Sequence, residues 1–132
     1  MKKKRINIEH TLRCKNANII WPLLSTEAGL QKWIADTVER EGDILSFTWG
    51  EVWSHHEIRQ ARVVAEEPSK RIRFVWEPDE DEEAYWELCM ERSDITGDYV
   101  LVITDYALPE DEESLYDIWG QNLEQLHQST GL

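Results

Sequence analysis

Two hydrophobic periods follow one another along these 132 residues, and their order constrains the fold more than any other feature. Residues 5–12 alternate, with Ile6, Ile8, His10 and Leu12 on one face and Asn7, Glu9 and Thr11 on the other, the period of two that marks a half-buried strand. Two short helical stretches come next. Asn16 can cap one that runs through Leu24, and Ser25 or Thr26 can cap another, with Glu27 placed favourably at the positive end of its dipole. Neither is long enough to persist alone, so Ile19, Ile20, Leu23, Leu30 and Trp33 need a surface to pack on.

From residue 37 the period returns to two. Thr37 to Glu41 is a strand candidate, Gly42-Asp43 a turn, and Ile44 to Trp49 a strand with Leu45, Phe47 and Trp49 on one face, ended by Gly50. Glu57 to Glu66 follows, then a break at Glu67-Pro68-Ser69-Lys70, then Arg71 to Glu77 with Ile72, Phe74 and Trp76 inward and Arg71 and Arg73 outward. An acidic loop from Pro78 to Glu83 leads into Ala84 to Arg92, where Trp86, Leu88 and Met90 oppose Tyr85, Glu87, Cys89 and Glu91. Thr96-Gly97-Asp98 turns the chain back into Tyr99 to Tyr106. Successive strands joined by short turns imply an antiparallel meander, not parallel crossovers.

The chain closes on a helix of about Glu110 to Thr130. Pro109 and the carboxylates of Glu110 to Glu113 suit its N-terminus, Leu115, Ile118, Trp119, Asn122, Leu123 and Leu126 recur at helical spacing, and Gly131 stops it. Such a stripe has no partner except the sheet, so the class is α+β with the helix lying across the strands. Parity and helical spacing then turn Ile8, His10, Phe47, Trp49, Phe74, Trp76, Trp86, Leu88, Leu101, Ile103 and Trp119 toward the interior. These eleven are the candidate pocket residues.

A length of 132 residues fits one domain with a real core, spanning 1–132. No apolar run is long enough to cross a bilayer, and Asn7, Glu9 and His10 interrupt the stretch where a signal peptide starting at Lys2 would need an apolar segment. Cys14 and Cys89 are far apart with no CxxC pattern, which suits reduced thiols in a cytoplasmic protein, and nothing fixes an oligomeric state. Net charge is −13 and lopsided. Residues 1–73 hold 13 basic against 10 acidic groups, whereas residues 74–132 hold 1 against 17. That balance argues against nucleic acid and anionic membrane as partners, both of which demand clustered Lys and Arg.

Catalytic signatures are absent. No phosphate-cradling glycine loop, nucleophile elbow or HExxH occurs, so no catalytic residue, cofactor or metal site is assigned. His55 and His56 are adjacent, but in extended chain they point to opposite faces and do not chelate one ion together. His10 shares a face with apolar residues and reads either as a hydrogen-bonded core or rim histidine or as a polar contact to a ligand. Neither thiol has a neighbouring signature for an activating partner, and Asp79 to Glu83 read as a solvated, mutually repelling run. Seven tryptophans are the more unusual count, and any subset facing a cavity would suit a flat or long apolar ligand.

Trp21-Pro-Leu-Leu-Ser-Thr-Glu-Ala-Gly-Leu-Gln-Lys-Trp33-Ile-Ala-Asp36 resembles the segment after strand one in START-like proteins of the heat-shock-ATPase-activator-homologue type. Phe47-Thr-Trp49-Gly50, Arg71-Ile-Arg-Phe74-Val-Trp76-Glu77, Tyr85-Trp86-Glu87-Leu88 and Leu101-Val-Ile103-Thr-Asp105-Tyr106 resemble the strand markers of that family in the same order. The resemblance implies the helix-grip fold of the SRPBCC superfamily, a curved antiparallel sheet around a C-terminal helix over an apolar cavity. That superfamily includes lipid carriers, sterol binders, polyketide cyclases and chaperone activators, and fold alone does not choose among them. Two functions follow as expectations. One is a carrier or sensor that binds an apolar small molecule or lipid between sheet and helix. The other is a protein-interaction module, or a co-factor of a chaperone ATPase, that meets a protein partner through its acidic surface.

Overall fold

The computed structural model describes residues 3–50, 56–78 and 83–132. Strand β1 (Lys4–Thr11) is followed by helices α1 (Ala17–Ser25) and α2 (Glu27–Leu30). Six strands come next: β2 (Thr37–Glu41), β3 (Ile44–Gly50), β4 (His56–Glu67), β5 (Arg71–Glu77), β6 (Trp86–Arg92) and β7 (Tyr99–Ala107). A 3-10 turn at Pro109–Asp111 then leads into α3 (Glu112–Thr130). The strands form one sheet ordered β1-β7-β6-β5-β4-β3-β2, every neighbouring pair antiparallel. The meander from β2 to β7 is what the order of periods predicts, and β1 joins the far edge by pairing with β7.

Local chemistry explains where the helices start and stop. The Asn16 side chain accepts from the Asn18 N–H at 2.9 Å and opens α1, and Thr26 Oγ1 accepts from the Gly29 N–H at 3.0 Å and opens α2. Of the two candidate caps for α2, Thr26 is the one used. Gly29 is buried so close to α1 that a Cβ there would sit 1.9 Å from the Pro22 carbonyl oxygen, so the α1–α2 corner needs the missing side chain. Gly131 takes a left-handed φ of 80° and ends α3, its N–H donating to the His127 carbonyl. Glu110 and Asp111, expected in the first turn of α3, form the 3-10 turn that precedes it.

The core lies between the inner face of the sheet and the three helices. Leu12, Ile20, Leu24, Leu30, Leu45, Phe47, Ile72, Phe74, Trp86, Leu88, Leu101 and Ile103 are essentially removed from solvent. On the outer face, Arg73 pairs with Glu87 and stacks over Tyr85 at 3.9 Å, while Arg71 approaches Glu87 at 3.5 Å. Glu87 is thereby buried on the outer face, and its two arginines are what permit it. A bulge in β4 between Val63 and Ala65 leaves Val64 half-exposed and shifts the alternation only from there on, so Glu57, Arg59 and Ala61 keep one phase.

Candidate functional site

The helical stripe of α3 is covered unevenly. Trp119 and Leu126 are buried, Leu115 and Leu123 are half-buried, and Ile118 is 53% exposed. At the C-terminal half the helix is tied down, with Ser129 Oγ donating to the Lys32 carbonyl at 3.3 Å and His10 Nε2 3.2 Å from the Leu132 carbonyl oxygen. At the N-terminal half it stands off the sheet and leaves a cleft of ≈ 400 Å³, within the range usual for small-molecule sites.

Four indoles form most of the wall: Trp49 from β3, Trp76 from β5, Trp86 from β6 and Trp119 from α3. Trp86 is their centre, stacked on Phe74 at 4.0 Å and on Trp76 at 5.2 Å, and tilted against Trp119 at 6.0 Å. Ile34, Leu115 and Ile118 add apolar surface, and Gln121 and Asn122 close the helix side. Glu57 and Arg59 of β4 and Asp105 of β7 supply the charges. Arg59 sits at the rim with its guanidinium carbon 4.1 Å from the Trp76 ring centroid. A smaller hollow of ≈ 110 Å³ continues beyond Asp105 toward Lys3 and Tyr85, sharing Arg59, Trp76, Asp105 and Leu115 with the main cleft.

Asp105 is the most unusual group in this cleft. It stands on the inner face in phase with Leu101 and Ile103 and is only 8% exposed. Trp119 Nε1 donates to its Oδ2 at 2.9 Å, and the Tyr106 N–H donates to its Oδ1 at 2.8 Å. Burial pushes its carboxyl up to about 6, against the pull of those two donors and of the Lys3 and Arg59 charges. The indoles differ in how their N–H groups are satisfied. Trp49 Nε1 donates to the Ile34 carbonyl at 2.9 Å and Trp119 Nε1 to Asp105, whereas Trp86 Nε1 is buried without a partner.

The eleven residues placed inside by parity separate into three groups. Trp49, Trp76, Trp86 and Trp119 line the cleft. Phe47, Phe74, Leu88, Leu101 and Ile103 are fully buried in the floor and packing beneath it. Ile8 and His10 are half-buried on β1, away from the cleft wall, and the polar contact of His10 is to Leu132. The cleft also contains residues that sequence reasoning missed, chiefly Glu57, Arg59 and Asp105. His56 is exposed on β4, and its neighbour His55 lies outside the described residues, as does most of the acidic loop after Pro78. Cys89 donates to Glu87 Oε1 at 2.9 Å, and burial with that carboxylate beside it pushes the thiol up to about 12, a setting that favours the protonated form.

A family model described as a START-like superfamily domain matches residues 1–132. The chain belongs to that superfamily. Among solved structures, this START-like chain is 38% identical to BfR322 from Bacteroides fragilis, covering 97% of itself and 91% of that protein with a TM-score of 0.64. The Aha1 dimer from Colwellia psychrerythraea superimposes with a TM-score of 0.74 over 97% of this chain and 98% of its own, at 15% identity. MLL2253 from Mesorhizobium loti gives 0.68 over 95% of each chain at 16% identity. The last two share the fold alone. No protein of curated function matches the sequence. No helix among the described residues is long and apolar enough to cross a membrane.

Proposed function

We propose that this START-like domain binds an apolar small molecule or lipid, as a carrier or sensor, in the cleft between the sheet and the N-terminal half of α3. The observation that carries this reading is the partial cover of the α3 stripe. Ile118 and Leu115 project an apolar surface over four indoles, yet among the described residues no other side chain fills the gap of ≈ 400 Å³ between them. Apolar surface left facing a concave, mostly aromatic wall is the usual composition of a small-molecule site. Of the other hollows, a broader groove of ≈ 510 Å³ over β2–β4 is walled by Glu39, Arg40, Glu41, Ser46 and Gln60 with Ile44, and has none of that aromatic character.

Native mass spectrometry of the purified protein, followed by titration with the neutral probe N-phenyl-1-naphthylamine, tests the reading. A retained apolar adduct, or saturable probe fluorescence that falls on substitution of Ile118 by Glu, is the expected result. Absence of both an adduct and saturable binding would overturn it.

The charge distribution favours a second reading, contact with a basic protein partner. Residues 74–132 carry 17 acidic groups against 1 basic, and a surface of one sign accelerates encounter with the other at low salt. Pull-downs across a salt series test it: a partner retained at low ionic strength and released as salt rises is expected, and its absence removes the support.

A further inference from the structure

The charges around the cleft are not equally engaged, and the difference bears on which end of a ligand they accept, an inference that rests on the binding reading above. Asp105 is buried, and both its oxygens already accept, one from Trp119 and one from the Tyr106 N–H. Arg59 is exposed at the rim, and no carboxylate of the described residues lies within salt-bridge distance of its guanidinium. Its place in the fold follows from register. Arg59 pairs with Phe47 and Glu57 with Trp49, so both point to the inner side of β4.

Arg59 also stands where two spaces meet. It lines the main cleft of ≈ 400 Å³ and the smaller hollow of ≈ 110 Å³ beyond Asp105, whereas Glu57 borders only the cleft. The other charges on the wall of the hollow are Lys3 and Asp105. A chain of net charge −13, with 17 acidic groups and 1 basic among residues 74–132, thus brings two cations from its first half to one edge of the site.

The guanidinium carbon lies 4.1 Å from the Trp76 ring centroid, so one face of the group rests on the indole. The N–H donors of a guanidinium lie in its plane, and a stacked arginine still offers them edgewise in the fork that matches a carboxylate. An alcohol would take a donor and leave the charge unneutralised. An ammonium group would find Glu57, but the guanidinium stands about 7 Å along the same strand to oppose it. A carboxylate is opposed by Glu57 in its turn; Lys3 adds a second positive charge on its side, and burial weakens the opposition of Asp105 by favouring the neutral form. The rim also leaves a charged end part of its water while an apolar body enters the cleft. We propose that the cleft takes an apolar molecule ending in a carboxylate, which pairs with the Arg59 guanidinium where the cleft meets the smaller hollow.

Calorimetric titration of the whole chain at pH 7 with decanoate, 1-decanol and decylammonium tests this, because the three share an apolar body and differ in the charge of its end. In wild type decanoate should bind more tightly than decylammonium, by a margin that narrows as salt rises. In Arg59→Gln the affinity ratio of decanoate to 1-decanol should fall about tenfold, the worth of one hydrogen bond to a charged group. In Arg59→Glu decylammonium should overtake decanoate. Should the variants fail to fold, the wild-type order and its salt dependence decide. A ratio unmoved by Arg59→Gln, or decylammonium ahead of decanoate in wild type, would overturn the inference while leaving apolar binding intact. If none of the three binds, the binding reading falls and takes the inference with it.

Discussion

The two halves of α3 face the same sheet with the same apolar spacing and end in opposite conditions. Leu126 is buried in the one core cluster that also holds Leu24, Leu30 and Trp33, and the helix end is pinned by Ser129 and His10. Around Ile118 no comparable cover or tie occurs among the described residues. The inner face there carries Glu57, Arg59 and Asp105 among indoles, and charged side chains do not collapse onto a helix as leucines do. The difference teaches that a stripe at helical spacing names the buried side of a helix without saying what covers it.

The sharpest way to break this contrast is to cut into both ends. Trp119→Ala, at the junction of the two, should lose about 3–5 kcal/mol in denaturant unfolding, because the ring is 5% exposed, packs on Trp33 and Trp86, and donates to Asp105. Leu126→Ala, 1% exposed at the closed end, should lose about 2–5 kcal/mol and leave probe affinity unchanged. A loss below about 1 kcal/mol for either would show that α3 does not pack on the sheet as described.

Next in size is the pH dependence at the open end. Asp105 has its carboxyl near 6 when folded against an ordinary value of 3.8, so between those values the folded chain binds more protons than the unfolded one. Its contribution is therefore most favourable below about pH 4, is lost as pH rises to about 6 and stays lost above, a change of about 3 kcal/mol for some two units. Glu87, whose carboxyl desolvation raises while Cys89, Arg73 and Arg71 pull it down to a net lowering, acts in the opposite sense. The measurement is accordingly the difference between wild type and Asp105→Asn across pH 4 to 7, which should slope if Asp105 titrates where its burial places it. A flat difference would remove Asp105 from the list of buried ionisable groups. The smallest expected effect is Ile118→Ala, within about 0.5 kcal/mol of wild type in stability, with weaker probe binding. Equal losses for Ile118→Ala and Leu126→Ala would erase the distinction between the two ends.

Most of the fold was legible because strands with one buried face write their parity into the chain and short turns leave few ways to connect them. Asn16, Thr26 and Gly131 likewise announce helix ends through chemistry that acts within a few residues. The site was legible only in its aromatics. Asp105 was recoverable in principle, since it continues the phase of Leu101 and Ile103, but a carboxylate in an inward position runs against the binary pattern that defines the phase. Arg59 and Glu57 were hidden for the same reason. They hold the same phase as Ala61, opposite the inward-facing Trp49 and Phe47 of β3, but as charged residues in inward positions they run against the binary pattern. Partial cover of Ile118 left no trace in the sequence, because helical spacing says nothing of which elements pack over each turn.

The indole stack has an optical consequence. Two tryptophans with ring centroids 5.2 Å apart and planes inclined by 26° couple their strongest ultraviolet transitions, and coupled indoles give a paired positive and negative band in the far-ultraviolet circular dichroism. That signal overlaps the region from which helix content is read. A spectrum of this protein therefore reports the arrangement of Trp76 and Trp86 alongside its helices, and a melt followed there records the cleft wall coming apart as well as the backbone unwinding.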